Sequence, residues 1–179
     1  MKLNFIDLFS GSGGMSEGFM KAGLNCLAGI DFSKDAIETF AFNHKKSIAI
    51  CDDIRKIKIK DFLEKINNKK IHIICGGPPC QGFSTIGAGD AEDSRNHLFL
   101  EFVRFVKSIK PKIIVIENVT GILAKKNINT LKSIFKCFEK LGYQLDIKVL
   151  SSHHYGVPQK RRRVIIIGNI INVENLYPK

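Results

Sequence analysis

No apolar run in this chain approaches the roughly 20 residues that a bilayer-spanning helix needs; the longer ones, such as residues 164–167, are a few residues each. The opening stretch MKLNFIDLFSGSGG does not read as a signal peptide, because Asp7 interrupts its apolar segment, glycines follow, and there is no small-residue cleavage site. Cysteine is scarce and odd in number, five residues with no C-x-x-C pair, and Cys75 and Cys80 stand too far apart for a usual zinc knuckle. A disulfide framework and a zinc site are therefore disfavoured, and most of the thiols are expected as small buried hydrophobes. Carboxylates are in the minority, 17 Asp and Glu against 28 Lys and Arg, for a formal net charge of +11. Such an excess suits a polyanionic partner, since every phosphate contacted releases counterions. Internal repeats, low-complexity linkers and composition breaks are also missing, so residues 1–179 are expected to form one domain. A chain of that length buries roughly 70% of its unfolded surface without covalent staples. The expectation is a cytoplasmic globular protein with no membrane segment and no metal.

What is present is an alternation of two patterns. Short Ile/Val-rich runs, NFIDLF, CLAGI, IHIICG, KIIVIEN, YQLDIKVLS and RVIIIGN, read as buried strands. Between them lie segments with helical spacing. GGMSEGFMKAGL sets Met15, Phe19 and Met20 on one side, and SKDAIETFAFNH opens with Ser33 as N-cap and repeats apolar residues at Ile37, Phe40 and Ala41. HLFLEFVRFVKSI is stopped by Pro111, and NINTLKSIFKCFEKLG closes at Gly142. Strands alternating with helices predict an α/β fold, a doubly wound, mostly parallel sheet of Rossmann-like form covered on both faces. In that architecture ligands sit beyond the carboxyl ends of the strands.

Chemistry-bearing residues do follow the strands. DLFSGSGG comes after the first, and its glycines allow a tight turn and close approach to a ligand, where a plain connection needs only one or two. The second strand ends at Asp31, 20 residues after Gly11, at the distance where an acid takes the hydroxyls of an adenosine ribose. The spacing is not G-x-G-x-x-G, which disfavours a dinucleotide and an NAD-linked reductase. Phe32 is available to pack on an adenine, and Asp52 or Asp53 to accept from its amino group. After IHIICG comes GGPPCQGFS, in which Pro78 and Pro79 stiffen the turn that presents Cys80. A thiol near its ordinary pKa of about 8.5 needs cationic or dipolar help to act as a nucleophile.

DLFSGSGG, GGPPCQGFS, ENV and QKRRRV, in this order, are similar to the signature motifs of cytosine-5 DNA methyltransferases, over residues 5 to about 168. The resemblance implies a methyltransferase that uses S-adenosylmethionine to methylate carbon 5 of a cytosine flipped out of double-stranded DNA. It matches Cys80 to the nucleophile and Glu117 to the acid that meets ring nitrogen 3 and the exocyclic amine. Arg161 and Arg163, which share one face if the segment is a strand, match arginines of the active site; Lys160 and Arg162 share the other. Phe9, Gly11, Ser12, Gly14, Asp31, Phe32, Asp53, Ile54, Pro79 and Leu98 match cofactor-pocket positions. Gln81 and Ser84 match positions that touch DNA near the flipped base, and Asn118 matches one that holds the loop bearing Glu117 and is counted with the nucleic-acid contacts. Residues 82–95, with Gly87 and Gly89 as bending points, read as a lid.

The departure is at the end of the chain. The family continues past this motif into a target-recognition domain and a last segment that completes the cofactor pocket, and neither follows here before Lys179. The expectation is the N-terminal catalytic portion of a bacterial restriction-modification enzyme, associated with the nucleoid: a subunit of a split enzyme completed by a second polypeptide, a truncated gene product or an excised fragment. Two rivals stand beside it: a tRNA cytosine-5 methyltransferase with the same motifs, and an inactive regulatory domain that binds the cofactor.

Overall fold

Every apolar run named above enters one sheet. The computed structural model of the chain describes residues 2–79 and 94–178, without the side chains of 94–97. The strands are β1 (Asn4–Leu8), β2 (Asn25–Asp31), β3 (Ile48–Cys51), β4 (Ile73–Gly76), β5 (Ile113–Val119), β6 (Gln144–Ser151) and β7 (Arg162–Asn169). The helices are α1 (Gly14–Lys21), α2 (Lys34–Asn43), α3 (Ile59–Lys65), α4 (Ser94–Ile109) and α5 (Ile128–Glu139).

Sheet order is β3-β2-β1-β4-β5-β7-β6. The first five strands are parallel, and β7 runs antiparallel between β5 and β6. The order turns back at β1, with β2 on one side and β4 on the other, which is the topological switch where α/β sheets bind ligands.

The strand period of two decides which residues meet which helices. Phe5, Cys26, Ile73 and Cys75 share a cluster with Ile37 and Phe40 of α2, against which Met15, Phe19 and Met20 of α1 pack. Ile6, Leu8, Ala28, Ile30, Ile74 and Ile114 share another with Phe62 of α3, Phe99, Phe102 and Phe105 of α4, and Ile134 and Phe138 of α5. The rings in this second layer meet edge-on, Phe62 with Phe105 at 5.5 Å and Phe99 with Phe138 at 5.8 Å between centroids, the geometry that the aromatic quadrupole favours. Tyr143 follows α5 and donates its hydroxyl to the Pro111 carbonyl at 2.6 Å, so a buried polar atom stays paired.

Two local expectations are refined. Ser33 occupies the N-cap position of α2, but its side chain makes no capping bond; its amide donates to Asp31 instead. Arg161 precedes β7, which begins at Arg162.

Candidate active site

The turn after β1 is conformationally costly. Phe9 has φ 60 and Gly11 φ 53; the left-handed region is routine for glycine and rare for a bulky aromatic residue, so the surroundings must hold Phe9 there. Part of the hold is Asp31, whose Oδ2 accepts from the Gly11 amide at 2.8 Å and Oδ1 from the Ser33 amide at 2.9 Å. One carboxylate thus ties the ends of β1 and β2 together, and its remaining lone pairs are available to a ligand.

Beyond these strand ends lies a cleft of about 270 Å³, lined by Phe9, Ile30, Asp31, Phe32, Asp52, Asp53, Ile54, Arg55, Pro79 and Leu98. Phe32 is 79% exposed, a large planar apolar face offered to whatever fills the cleft. Asp53 is engaged by Arg55, whose Nε lies 2.9 Å from both of its carboxylate oxygens and whose amide donates to Oδ1 at 3.0 Å. These bonds, from the guanidinium first and then the amide, pull the Asp53 carboxyl down to about 2. Three carboxylates against one arginine already paired make a lining hostile to a pyrophosphate. The same lining suits a nucleoside with hydroxyl and amino donors and a positive charge.

The cleft brings together Phe9, Asp31, Phe32, Asp53, Ile54, Pro79 and Leu98 from the sequence-derived set. Gly11 joins through its amide. Ser12 and Gly14 line a neighbouring depression with Gly13, Glu17, Asn43 and His44. Arg55 emerges only in three dimensions, although its place two residues after Asp53 was visible. Another such residue is His44, which is buried, with Nε2 3.2 Å from the Gly13 carbonyl. Gly13 is at φ +90, and a Cβ there would stand 2.3 Å from His44 Nε2.

A second constellation sits across β4, at the end of β5. Glu117 Oε1 is 2.8 Å from Arg163 Nε and 3.4 Å from Arg161 Nη2. Antiparallel pairing makes this possible by setting Val119 opposite Arg163 and Glu117 opposite Ile165. The pleat then sends the Glu117 and Arg163 side chains to one face. Glu117 Oε2 is 3.5 Å from where a Cβ on Gly77 would stand, so the carboxylate lies against the turn that leads to Pro78, Pro79 and Cys80. Asn118 secures that turn: its Nδ2 donates to the Pro78 carbonyl at 3.0 Å, and its Oδ1 accepts from the Val119 amide at 2.9 Å. Asn118 is only 9% exposed. Cys80, Gln81, Ser84 and the expected lid lie outside the described residues, apart from the first turn of α4.

A buried polar cluster lies at β1. Asp7, in the middle of β1, accepts from Ser16 Oγ at 2.7 Å. Burial pushes its carboxyl up to about 7, against hydrogen bonds from Ser16 and Cys75 that pull it down. The thiols of Cys26 and Cys75 are pushed up as well, chiefly by burial; these two are packing groups, but the burial expected for most of the thiols does not extend to the other described ones. Cys51 is exposed and Cys137 half-buried. Among the described residues, no group of three or more His, Cys, Asp or Glu could hold a metal ion, and no helix is long and apolar enough to cross a membrane.

Comparison with known proteins meets this geometry. A family model described as C-5 cytosine-specific DNA methylase matches residues 3–176. The chain is 40% identical over 182 residues to the type II methyltransferase M1.HphI of Haemophilus parahaemolyticus, covering 100% of this chain and 49% of that protein. It is 44% identical over 169 residues to the type II methyltransferase M.DdeI of Desulfomicrobium norvegicum, covering 93% and 40%. A crystal structure of a prophage-encoded Escherichia coli protein, assigned as a DNA modification methyltransferase, superposes with a TM-score of 0.81 at 34% identity, covering 94% of this chain and 47% of that one. The chain spans about half the length of the curated relatives it matches.

Proposed function

The chain belongs to the C-5 cytosine-specific DNA methylase family, and from that premise we propose that it carries the chemical machinery for methylating carbon 5 of cytosine in DNA, with S-adenosylmethionine as donor. The observation that supports this reading most directly is the Glu117 carboxylate gripped by Arg161 and Arg163 against the Gly77 turn, three residues before Cys80.

The donor fits the first cleft. Phe32 would stack on the adenine, Asp31 would accept from the ribose hydroxyls, and Asp53, ionised because Arg55 holds its carboxyl low, would accept from the adenine amine. Phe9, Ile54, Pro79 and Leu98 supply the apolar walls, with Gly11, Ser12 and Gly14 assigned to the rest of the molecule. When bound, S-adenosylmethionine would supply its methyl group as an electrophilic carbon on a cationic sulfonium, a charge that the aspartates of the cleft favour.

The chain's own residues act on the pyrimidine. The thiolate of Cys80 adds to carbon 6, forming a carbon–sulfur bond and driving electron density onto carbon 5 and the ring nitrogen 3 side. Glu117 meets that nitrogen and delivers a proton to it, relieving negative charge as it builds. Arg163 and Arg161 hold the carboxylate in place, and the spare donors of one guanidinium reach the cytosine carbonyl oxygen. After carbon 5 is methylated, its proton passes to solvent water, the ring double bond re-forms as the thiolate leaves, and the proton on nitrogen 3 returns to Glu117. Gln81, Ser84 and the lid are assigned to the neighbourhood of the extruded base, whose flipping costs a few kcal/mol that closure contacts offset. Basic residues contribute affinity for duplex DNA. Base-edge specificity is assigned to a target-recognition part, carried by the unmatched half of the relatives or by a second polypeptide.

The test combines tritiated-methyl transfer to duplex DNA, in the presence of the complementing part, with trapping on DNA carrying 5-fluorocytosine. Cys80→Ser is expected to abolish transfer and the trapped adduct while leaving affinity for S-adenosylhomocysteine within about twofold, since the thiol attacks the base and does not hold the donor. Equal loss of cofactor binding would make Cys80 structural. Absence of any adduct with the unaltered protein would turn the reading to a regulatory domain, and transfer to tRNA but not to DNA would change the substrate.

A further inference from the structure

One arginine of α4 grips a wall of the donor cleft without lining it. Arg104 Nη2 donates to the Ile54 carbonyl at 2.8 Å and Nη1 to the Ile57 carbonyl at 3.0 Å. Its Nε is held by Glu101, one turn back on the same helix. Both carbonyls belong to the turn at Ile54–Lys56 and its exit, the turn that Asp53 caps by accepting from the Arg55 amide. Asp53, Ile54 and Arg55 form one wall of the cleft, and α4 supplies Leu98 to another. The Arg104 side chain is about one-third exposed, and Glu101 less. The guanidinium also lies 5.1 Å from the Phe105 ring centroid, and Phe105 is fully buried.

We propose that Arg104 is a positioning residue for the donor site: it clamps the Asp53–Ile57 turn to α4, and so sets where Asp53 presents its carboxylate to the nucleoside. This rests on the reading of the cleft as the S-adenosylmethionine site. A planar fork with several fixed donors is needed, because two carbonyls three residues apart must be held at once by a side chain whose third edge is fixed by Glu101. A lysine would carry the charge as a single point and hold one carbonyl at a time. Arg55 and Arg104 thus have separate tasks: Arg55 orients the Asp53 carboxylate, and Arg104 places the main chain that carries it.

The experiment uses Arg104→Met, Arg104→Lys and, as a control, Phe138→Leu, a core change that loosens packing on α4 at Phe99 and Phe102 while leaving the Arg104 bonds in place. S-adenosylhomocysteine affinity is read by calorimetry at a temperature well below every melting point, and amide hydrogen exchange is followed at residues 55–57. Arg104→Met is expected to weaken binding about tenfold or more, with Arg104→Lys in between. Both should speed exchange at the Lys56 and Ile57 amides, which are bonded within the turn. Phe138→Leu is expected to lower the melting temperature but to leave affinity and local exchange at wild-type values. Wild-type affinity in Arg104→Met, unchanged exchange in the turn, or an equal loss of affinity in Phe138→Leu would overturn the inference. Failure of the unaltered chain to bind S-adenosylhomocysteine would overturn the cofactor reading itself, and the inference with it.

Discussion

At the scale of single residues, Asp7 carries the clearest consequence. It is fully buried and its carboxyl is pushed up to about 7 from 3.8. Between those values the folded chain holds a proton that the unfolded chain has released. This contribution to stability is complete below pH 3.8 and is lost as the pH rises to about 7, a change on the order of 4 kcal/mol. Asp7→Asn cannot ionise and is expected to remove that slope. Urea unfolding from pH 4 to 8 tests it: the wild type should lose midpoint relative to the variant as pH rises, and parallel curves would show that Asp7 ionises as freely folded as unfolded. The cysteines show a related contrast. Cys26 and Cys75 are sealed beside Asp7, with thiols pushed up by burial, and are poor nucleophiles. Cys80 differs from them in its mount, two prolines at the end of a strand, and that much was visible in the chain itself.

At the scale of elements, strands β1 and β4 meet so closely that Gly76 has no room for a side chain. A Cβ there would stand 2.0 Å from the Leu8 carbonyl oxygen, a main-chain atom that cannot swing aside. Gly76→Ala is expected to cost about 1–3 kcal/mol or more by overpacking, and to shift the Pro78–Pro79 turn that follows. A chemical-denaturation midpoint equal to that of the wild type would mean that the two strands can part at no cost. Motif segments were legible because each is an apolar run followed by residues that no strand interior tolerates: glycines after β1, prolines after β4, a Glu-Asn pair ending β5. Helix α3 was not legible. Its seven residues have too little periodicity, and Phe62 is helical and buried because Phe105 packs against it. The grip of Arg104 on the Ile54 and Ile57 carbonyls was equally hidden, since it spans 47 and 50 residues and main-chain acceptors leave no mark in a sequence.

At the scale of the whole molecule, the charge of +11 coexists with an acidic cleft at the carboxyl ends of β1 and β2. The surplus of Lys and Arg therefore lies elsewhere, available to a polyanion. Binding to duplex DNA of arbitrary sequence is expected to fall with salt, with a log–log slope of about −3 or steeper, the signature of three or more phosphates. A flat dependence in fluorescence anisotropy between low and physiological salt would remove the backbone-binding role. Apart from β3 and α3, the order of strands and helices, the positions of the strand ends and the residue types set there were determined by the sequence alone, because period and punctuation are local properties. Tertiary structure decided what those residues do to one another. Whether Glu117 meets two arginines depends on β7 entering the sheet antiparallel beside β5. The state of Asp53 depends on Arg55 folding back on it, and the charge of Asp7 depends on exclusion of water. Ion pairing and desolvation act through space over a few ångströms, and only the folded chain brings residues 44 and 46 positions apart within that range.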